Sequence, residues 1–321
     1  FISYSTDLMV YDAAGAPLPN APIHVWAATQ TQITVNGASY TIDASTPANL
    51  TCSSSGTLSI TQGTGILGIP ALQINIVNQM PSGQGIALEQ YAGVQARLET
   101  VTGDDLMNAK TADGSYLLQD PYRTVAQTDS LATAFNQCMA LASNPAVARD
   151  TRHAMLGTRP KRGVSCVASD ATHGLNRIKA PTQATHWQLD FRSGQPQYRE
   201  LSAVEAHQLL LEKRASHVAA GQSVGGLFDW IGSIGDFVSG VVDGIISVVD
   251  TVITTIGNAV NAAISFVVNG VTYLFETVVE FIEQAFDLVE VIFAQVKVVF
   301  TQIIEWLGFI FSWQDILRTH D

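Results

Sequence analysis

The residues that could carry chemistry are few and scattered. Gly63-Thr64-Gly65-Ile66-Leu67-Gly68 has the glycine spacing of a dinucleotide loop. Such a loop needs a helix N-terminus behind it to hold phosphates. Here Pro70 and a strand-like run come next, so the segment reads as a plain loop. The seven histidines, His24, His153, His173, His186, His207, His217 and His320, show no metal spacing with another His or a Cys. Cys166, Asp170 and His173 are near enough in sequence to suggest a thiol–imidazole pair, but they sit in a loop-rich stretch that reads as ordinary surface. Asp104, Asp105 and Asp113 lack the alternating acids of a calcium loop. No HExxH, GxSxG or Walker sequence occurs. The expectation is a non-catalytic protein with no cofactor and no metal. An enzyme would require a fold that brings His173 or His186 beside an acid or a thiol.

Two basic sites suggest processing rather than catalysis. Arg159-Pro160-Lys161-Arg162 fits the Arg-x-Lys-Arg pattern cut by secretory-pathway convertases of the furin and kexin type, and Lys213-Arg214 is a second dibasic pair. Cleavage at either would free or expose the helical half of the chain. Asn49-Leu50-Thr51 is a glycosylation sequon. Together these predict a secreted or cell-surface chain. It opens at Phe1 inside a strand-like run, which reads as a mature form or a fragment of something longer. Cys52, Cys138 and Cys166 are odd in number and far apart. They leave open one disulfide with a free thiol, or three unpaired core thiols.

Composition sets limits on partners. Apolar residues make up 47 % of the 321 residues and charged ones 14 %. The net charge is −12, and from Gly225 onward 12 acids face only Lys297 and Arg318. Phosphate binding needs clustered Lys and Arg, so nucleic acid is excluded as a partner of that acidic region.

The elements that would position these residues fall into three stretches: 1–100, 101–224 and 225–321. The first reads as strands. Ser5–Asp12, Ile23–Ala28, Thr57–Thr61 and Ala71–Val77 alternate, and Asn36-Gly37 supplies the two φ > 0 positions of a type I′ hairpin turn. Val10-Tyr11-Asp12, Gly15, Pro17-Leu18, Ala21-Pro22-Ile23, Val25 and Ser55-Gly56-Thr57-Leu58-Ser59-Ile60 run in order as strand, turn, Pro kink and strand. Over residues 5–78 this resembles the immunoglobulin-like or transthyretin-like sandwich repeats of surface proteins, including the invasin type. The resemblance implies an antiparallel spacer or adhesive module. The middle stretch mixes a helix near Thr128–Leu141, loops, a hairpin across Trp187–Leu201 and a helix at Ala203–Ala219.

Beyond Gly225 apolar residues recur every three or four positions, the helical period. That predicts a long amphipathic helical hairpin over 228–268 and 271–311, broken at Asn269-Gly270. Asp229, Asp236, Asp243 and Asp250 are seven apart, and so are Glu276, Glu283 and Glu290. Seven residues is almost two turns, so the acids would form solvated stripes as in a coiled coil. Four apolar positions in seven exceed what a two-stranded seam needs. Phe281, Ile282, Leu288, Val289, Ile292, Phe300, Ile303, Leu307, Phe311 and Trp313 would therefore meet a third helix, the sandwich, another subunit or lipid. The fold class predicted is α+β. The function predicted is structural, with the hairpin driving self-association or docking to other domains of a larger protein. The alternative is membrane insertion, pore-forming or fusion-like, released by proteolysis or low pH. Thr251–Phe275 carries no charge and is long enough to span a bilayer core.

Overall fold

The computed structural model describes residues 2–12, 15–64, 67–81, 83–142, 185–219, 240–241, 245–256, 259–279 and 282–310. The front of the chain forms eight strands: β1 (Ile2–Met9), β2 (Pro22–Ala27), β3 (Thr31–Val35), β4 (Ala38–Ile42), β5 (Ala48–Thr51), β6 (Thr57–Thr64), β7 (Leu72–Ile76) and β8 (Ile86–Leu88). They pair in the orders β1-β6-β3-β4 and β5-β2-β7-β8. Period-2 alternation turns Ile23, Val25 and Ala27 of β2 inward, where they meet Ile33, Leu58 and Ile60 of the facing sheet in one apolar cluster. Asn36 and Gly37 have φ of 50° and 85°, as the β3–β4 turn demands.

After β6 the chain leaves this cluster. Leu67, Ile69 and Ala71 enter a second, larger core. Three helices come next: α1 (Ala92–Thr100), α2 (Gly103–Asn108) and α3 (Val125–Ala142). The start of α2 is fixed by a capping box, in which the Asp105 amide donates to Thr102 Oγ1 and the Thr102 amide donates to Asp105. Beyond α3 lie β9 (His186–Asp190), β10 (Gln197–Glu200) and the helix α4 (Ala203–Ala219). The chain continues with β11 (Ser247–Ile256), β12 (Ala259–Val268), β13 (Val271–Val279), α5 (Ile282–Gln295) and α6 (Phe300–Ile310). The sheet order is β10-β9-β11-β12-β13, antiparallel throughout. One face of this sheet carries α4 through Ala206, Leu210, Val252 and Ala263. The other packs on α3, α5 and α6, with Phe293 stacked on Phe135 and edge-on to Trp306.

The α+β class holds, but the long helical hairpin does not form across the described residues. A three-stranded meander replaces the first predicted helix from 247 on and the start of the second. The physical reason is burial on both faces. The central strands β11 and β12 are covered from both sides, so apolar residues sit at nearly every position and any spacing can be found in them. Their Val, Ile and Thr content favours the pleated sheet over the helix. Asn269 and Gly270, with φ of 51° and 79°, form a hairpin turn and not a helix end.

The remaining helix is also split. At the end of α5 the Val298 amide donates to Phe293 O and the Lys297 amide to Ala294 O, with Lys297 at φ 66°. This is a Schellman stop, and it separates α5 from α6.

Candidate functional site

Two buried groups of ionisable side chains could carry function. The first lies under α4. That helix begins at a capping box of Ser202 and Glu205, and its Ala206, Leu210 and Lys213 fall on the face turned to the sheet. In β11 the pairing with β12 slips by one residue between Val248 and Asp250. This bulge switches the alternation, so Val248 faces the larger core while Asp250 joins Val252 under α4. Lys213 Nζ donates to Asp250 Oδ1 at 2.5 Å, to Asp250 Oδ2 at 2.6 Å and to Ser265 Oγ at 2.7 Å. Gln188 Nε2 donates to Asp250 Oδ2 at 2.9 Å, and Arg199 donates to Gln188 Oε1 at 2.8 Å. Asp190 pairs directly across from Asp250 and is held by Arg192 at 2.5 Å. A cavity of about 590 Å³ opens beside this network, lined by Leu209, Lys213, Asp250, Ser265 and Tyr273 among others.

The chemistry of this group is structural. Both carboxylate oxygens of Asp250 accept from Lys213, so Ser265 meets a donor where a nucleophilic serine needs a base. Lys213 and Asp250 neutralise each other, as do Arg192 and Asp190, and both carboxylate oxygens of the buried Asp250 are satisfied.

The second group is a row of carboxyls along α5. Glu283, Asp287 and Glu290 are spaced four and three apart, which places them on one stripe. Burial pushes Glu283 and Asp287 up to about 7 and Glu290 up to about 8, with each acid reinforced by its neighbour in the row except Glu283. The stripe faces the front sheets. Glu290 accepts the backbone N–H of Leu67. Tyr4 of β1 is pushed up to about 12 by burial and by Glu290. Gly68 lies so close that a Cβ there would stand 2.8 Å from Phe286 Cβ and 2.9 Å from Glu283 O. Gly68→Ala is expected to cost about 1–3 kcal/mol through overpacking, read as a lowered urea midpoint with unchanged slope.

The residues singled out in the sequence are spread widely over the fold. Ile282, Leu288, Val289, Ile292, Ile303 and Leu307 are buried in the chain's own core, and Phe300 is half-buried against it. At these positions the apolar face is covered from within the chain. Phe281, Phe311, Trp313, Arg159, Lys161 and Arg162 lie outside the described residues, as do Asp229, Asp236 and Asp243. Of the acids expected to be solvated, Glu276 is exposed, whereas Asp250, Asp287 and Glu290 are buried. Lys213 and Arg214 sit in α4 and both are paired, Arg214 with Glu276 at 2.9 Å. A convertase would have to unwind that helix to reach them. Asn49 is exposed on β5, an edge strand, with Thr51 also exposed. His186 Nδ1 lies 2.8 Å from Thr254 Oγ1, not beside an acid or a thiol. Asp113 is held down to about 2 by hydrogen bonds from Thr111 and Ser115, so it closes a turn. Cys52 and Cys138 are free and buried.

Gln188, Ser265 and Tyr4 join these sites without any motif to mark them, while the Leu67 amide belongs to the glycine-rich segment 63–68 that reads as a plain loop. The signal for the first two is a polar residue interrupting an apolar strand, His186–Asp190 and Ala259–Val268 respectively. Scans of family models, curated proteins and solved structures found no match to this chain.

Proposed function

We propose that this chain is a non-catalytic structural module of a secreted or cell-surface protein, and that it self-associates by adding the open edge of β13 to that of a second copy. The observation that carries this reading is the character of that edge. Among the described residues β13 has a strand on one side only. It runs nine residues, Val-Thr-Tyr-Leu-Phe-Glu-Thr-Val-Val, without Pro or Lys. Its single acid, Glu276, is taken up by Arg214. Edges that must stay single are usually short, charged or bulged. The opposite edge, β10, has four residues including Arg199 and Glu200.

Strand addition also suits a second copy of the same strand. Antiparallel pairing about Phe275 would set Val271 against Val279, Thr272 against Val278, and Tyr273 against Thr277. Glu276 would oppose Leu274 instead of its own copy, which avoids a like-charge pair. The exposed sequon at Asn49 supports an extracellular setting. The two facing front sheets suit a spacer, in keeping with the immunoglobulin-like resemblance. No helix among the described residues is long and apolar enough to cross a membrane.

The test is sedimentation velocity on the whole chain, with and without phosphatidylserine-containing liposomes. A concentration-dependent dimer that ignores lipid is expected. Val278→Lys is expected to give a monomer while changing stability by no more than about 0.5 kcal/mol, since Val278 is exposed. A wild-type monomer at micromolar concentration, or a dimer unaffected by Val278→Lys, sinks the proposal. A monomer that floats with liposomes would favour membrane insertion instead.

A further inference from the structure

We propose that Glu283, Asp287 and Glu290 form a proton-operated clamp between the front sheets and α5, closed when the row is protonated and loosened when it ionises. The geometry is a junction at which Leu67, Ile69 and Ala71 share the larger core with α5 beside its row of acids. From the front come the Leu67 amide, which Glu290 accepts, and Gly68, which rests against Phe286 and the Glu283 backbone. From β1 comes Tyr4, whose hydroxyl is buried and makes no hydrogen bond. Glu283 Oε2 is likewise buried without a partner. Three carboxyls therefore line a contact surface to which, among the described residues, the segment after β6 brings the Leu67 amide as a hydrogen-bond donor.

Among the described residues no Lys or Arg forms an ion pair with Glu283, Asp287 or Glu290. Among the described residues, the charges that act on the row are those of its own members, and Glu290 in turn raises Tyr4. The other elements around α5 meet it with rings and amides: Tyr91 ahead of α1 against Phe286, Phe135 of α3 and Trp306 of α6 against Phe293, and the Val248 amide of β11 on Gln295. On β13 it is Val279 that shares this core. An unpaired carboxylate in such a site costs several kcal/mol of desolvation, so the neutral form is the one the closed junction accommodates.

Burial raises all three groups from 3.8 or 4.5 in the ordinary state to about 7 or 8 in the fold. The folded chain therefore holds protons that the unfolded chain has released. The stabilisation is complete below the ordinary carboxylate range and is lost as pH rises through about 8. Through this row, acid tightens the chain. For this junction the loosening signal is mild alkali.

The experiment uses the full chain and its Glu283→Gln, Asp287→Asn, Glu290→Gln variant. The amides mimic the neutral acids, and the Glu290→Gln change retains an acceptor for Leu67. Hydrogen exchange at the Leu67 amide, corrected for the intrinsic base-catalysed rate, would be followed from about pH 5 to about pH 9. In the wild type, protection is expected to fall by up to about tenfold per pH unit for each proton released, with front-core amides such as that of Ile60 less affected. The variant is expected to be flat. Equal decline in both proteins overturns the clamp. Carboxyl carbon NMR of the wild type gives a measurement that does not depend on the variant folding. Midpoints near neutrality support the clamp, and midpoints in the ordinary carboxylate range overturn it.

Discussion

Replacing Lys213 by Ala is expected to remove about 3–5 kcal/mol of stability, measured by urea unfolding near neutral pH. Asp250 is 2 % exposed, and it faces Asp190 across the strand pair. Without the ammonium it would remain as a buried carboxylate with Gln188 as donor and a second acid opposite. The bulge holds it in place, so it cannot turn to water. The reverse change, Asp250→Ala, is expected to cost less. Lys213 stands on the outer helix with 14 % of its side chain exposed, and its long stem can carry the charge toward solvent. The double variant Lys213→Met, Asp250→Asn should recover most of the loss. It removes both charges and leaves an acceptor for Gln188. A loss under about 1 kcal/mol for Lys213→Ala would place the pair among screened surface bridges and empty the structural account of this network.

The front of the molecule is legible in the sequence because its strands are half-buried. One face of β2 meets the core and the other meets solvent, so apolar and polar residues alternate, and Asn36-Gly37 marks the turn. The back is illegible for the opposite reason. β11 and β12 are buried on both faces and lose the alternation that identifies a strand. Asn269-Gly270 is the same dipeptide as Asn36-Gly37, with the same left-handed backbone. Both a helix stop and a hairpin turn use that backbone, so the dipeptide cannot decide. The flanking residues can: Ser247–Ile256 is almost wholly Val, Ile and Thr, whereas Ile282–Gln295 carries Leu, Ala, Glu and Gln.

The sites are hidden more deeply. Lys213 and Asp250 both stand out in the sequence, one as half of a dibasic pair and the other as a heptad acid, yet 37 residues separate them. Only the sheet topology makes them partners. The second series of acids is split between two elements, since Glu276 lies in β13 and Glu283 and Glu290 in α5. Charge does not announce burial. A Glu at a helical stripe position is far more often solvated, and Glu290 becomes an exception only because residues 67–71 cross over it.

Leu288→Asp should abolish folding rather than dissociate an assembly. Leu288 is 1 % exposed within the core that α3, α5 and the five-stranded sheet share. Removing its side chain alone costs about 2–5 kcal/mol, and leaving a carboxylate in the space adds a further several kcal/mol. The sum exceeds about 5 kcal/mol, the lower end of what single domains possess. Far-UV dichroism with thermal melting should show no cooperative transition near neutral pH, where Val278→Lys melts normally as a monomer. Acid offers a sharper discriminant. A carboxyl buried at 288 would be raised by desolvation like its neighbours Asp287 and Glu290, so lowering the pH should restore part of the transition. A Leu288→Asp protein that is folded and monomeric at neutral pH would show that this face of α5 meets a partner and not the chain's own core.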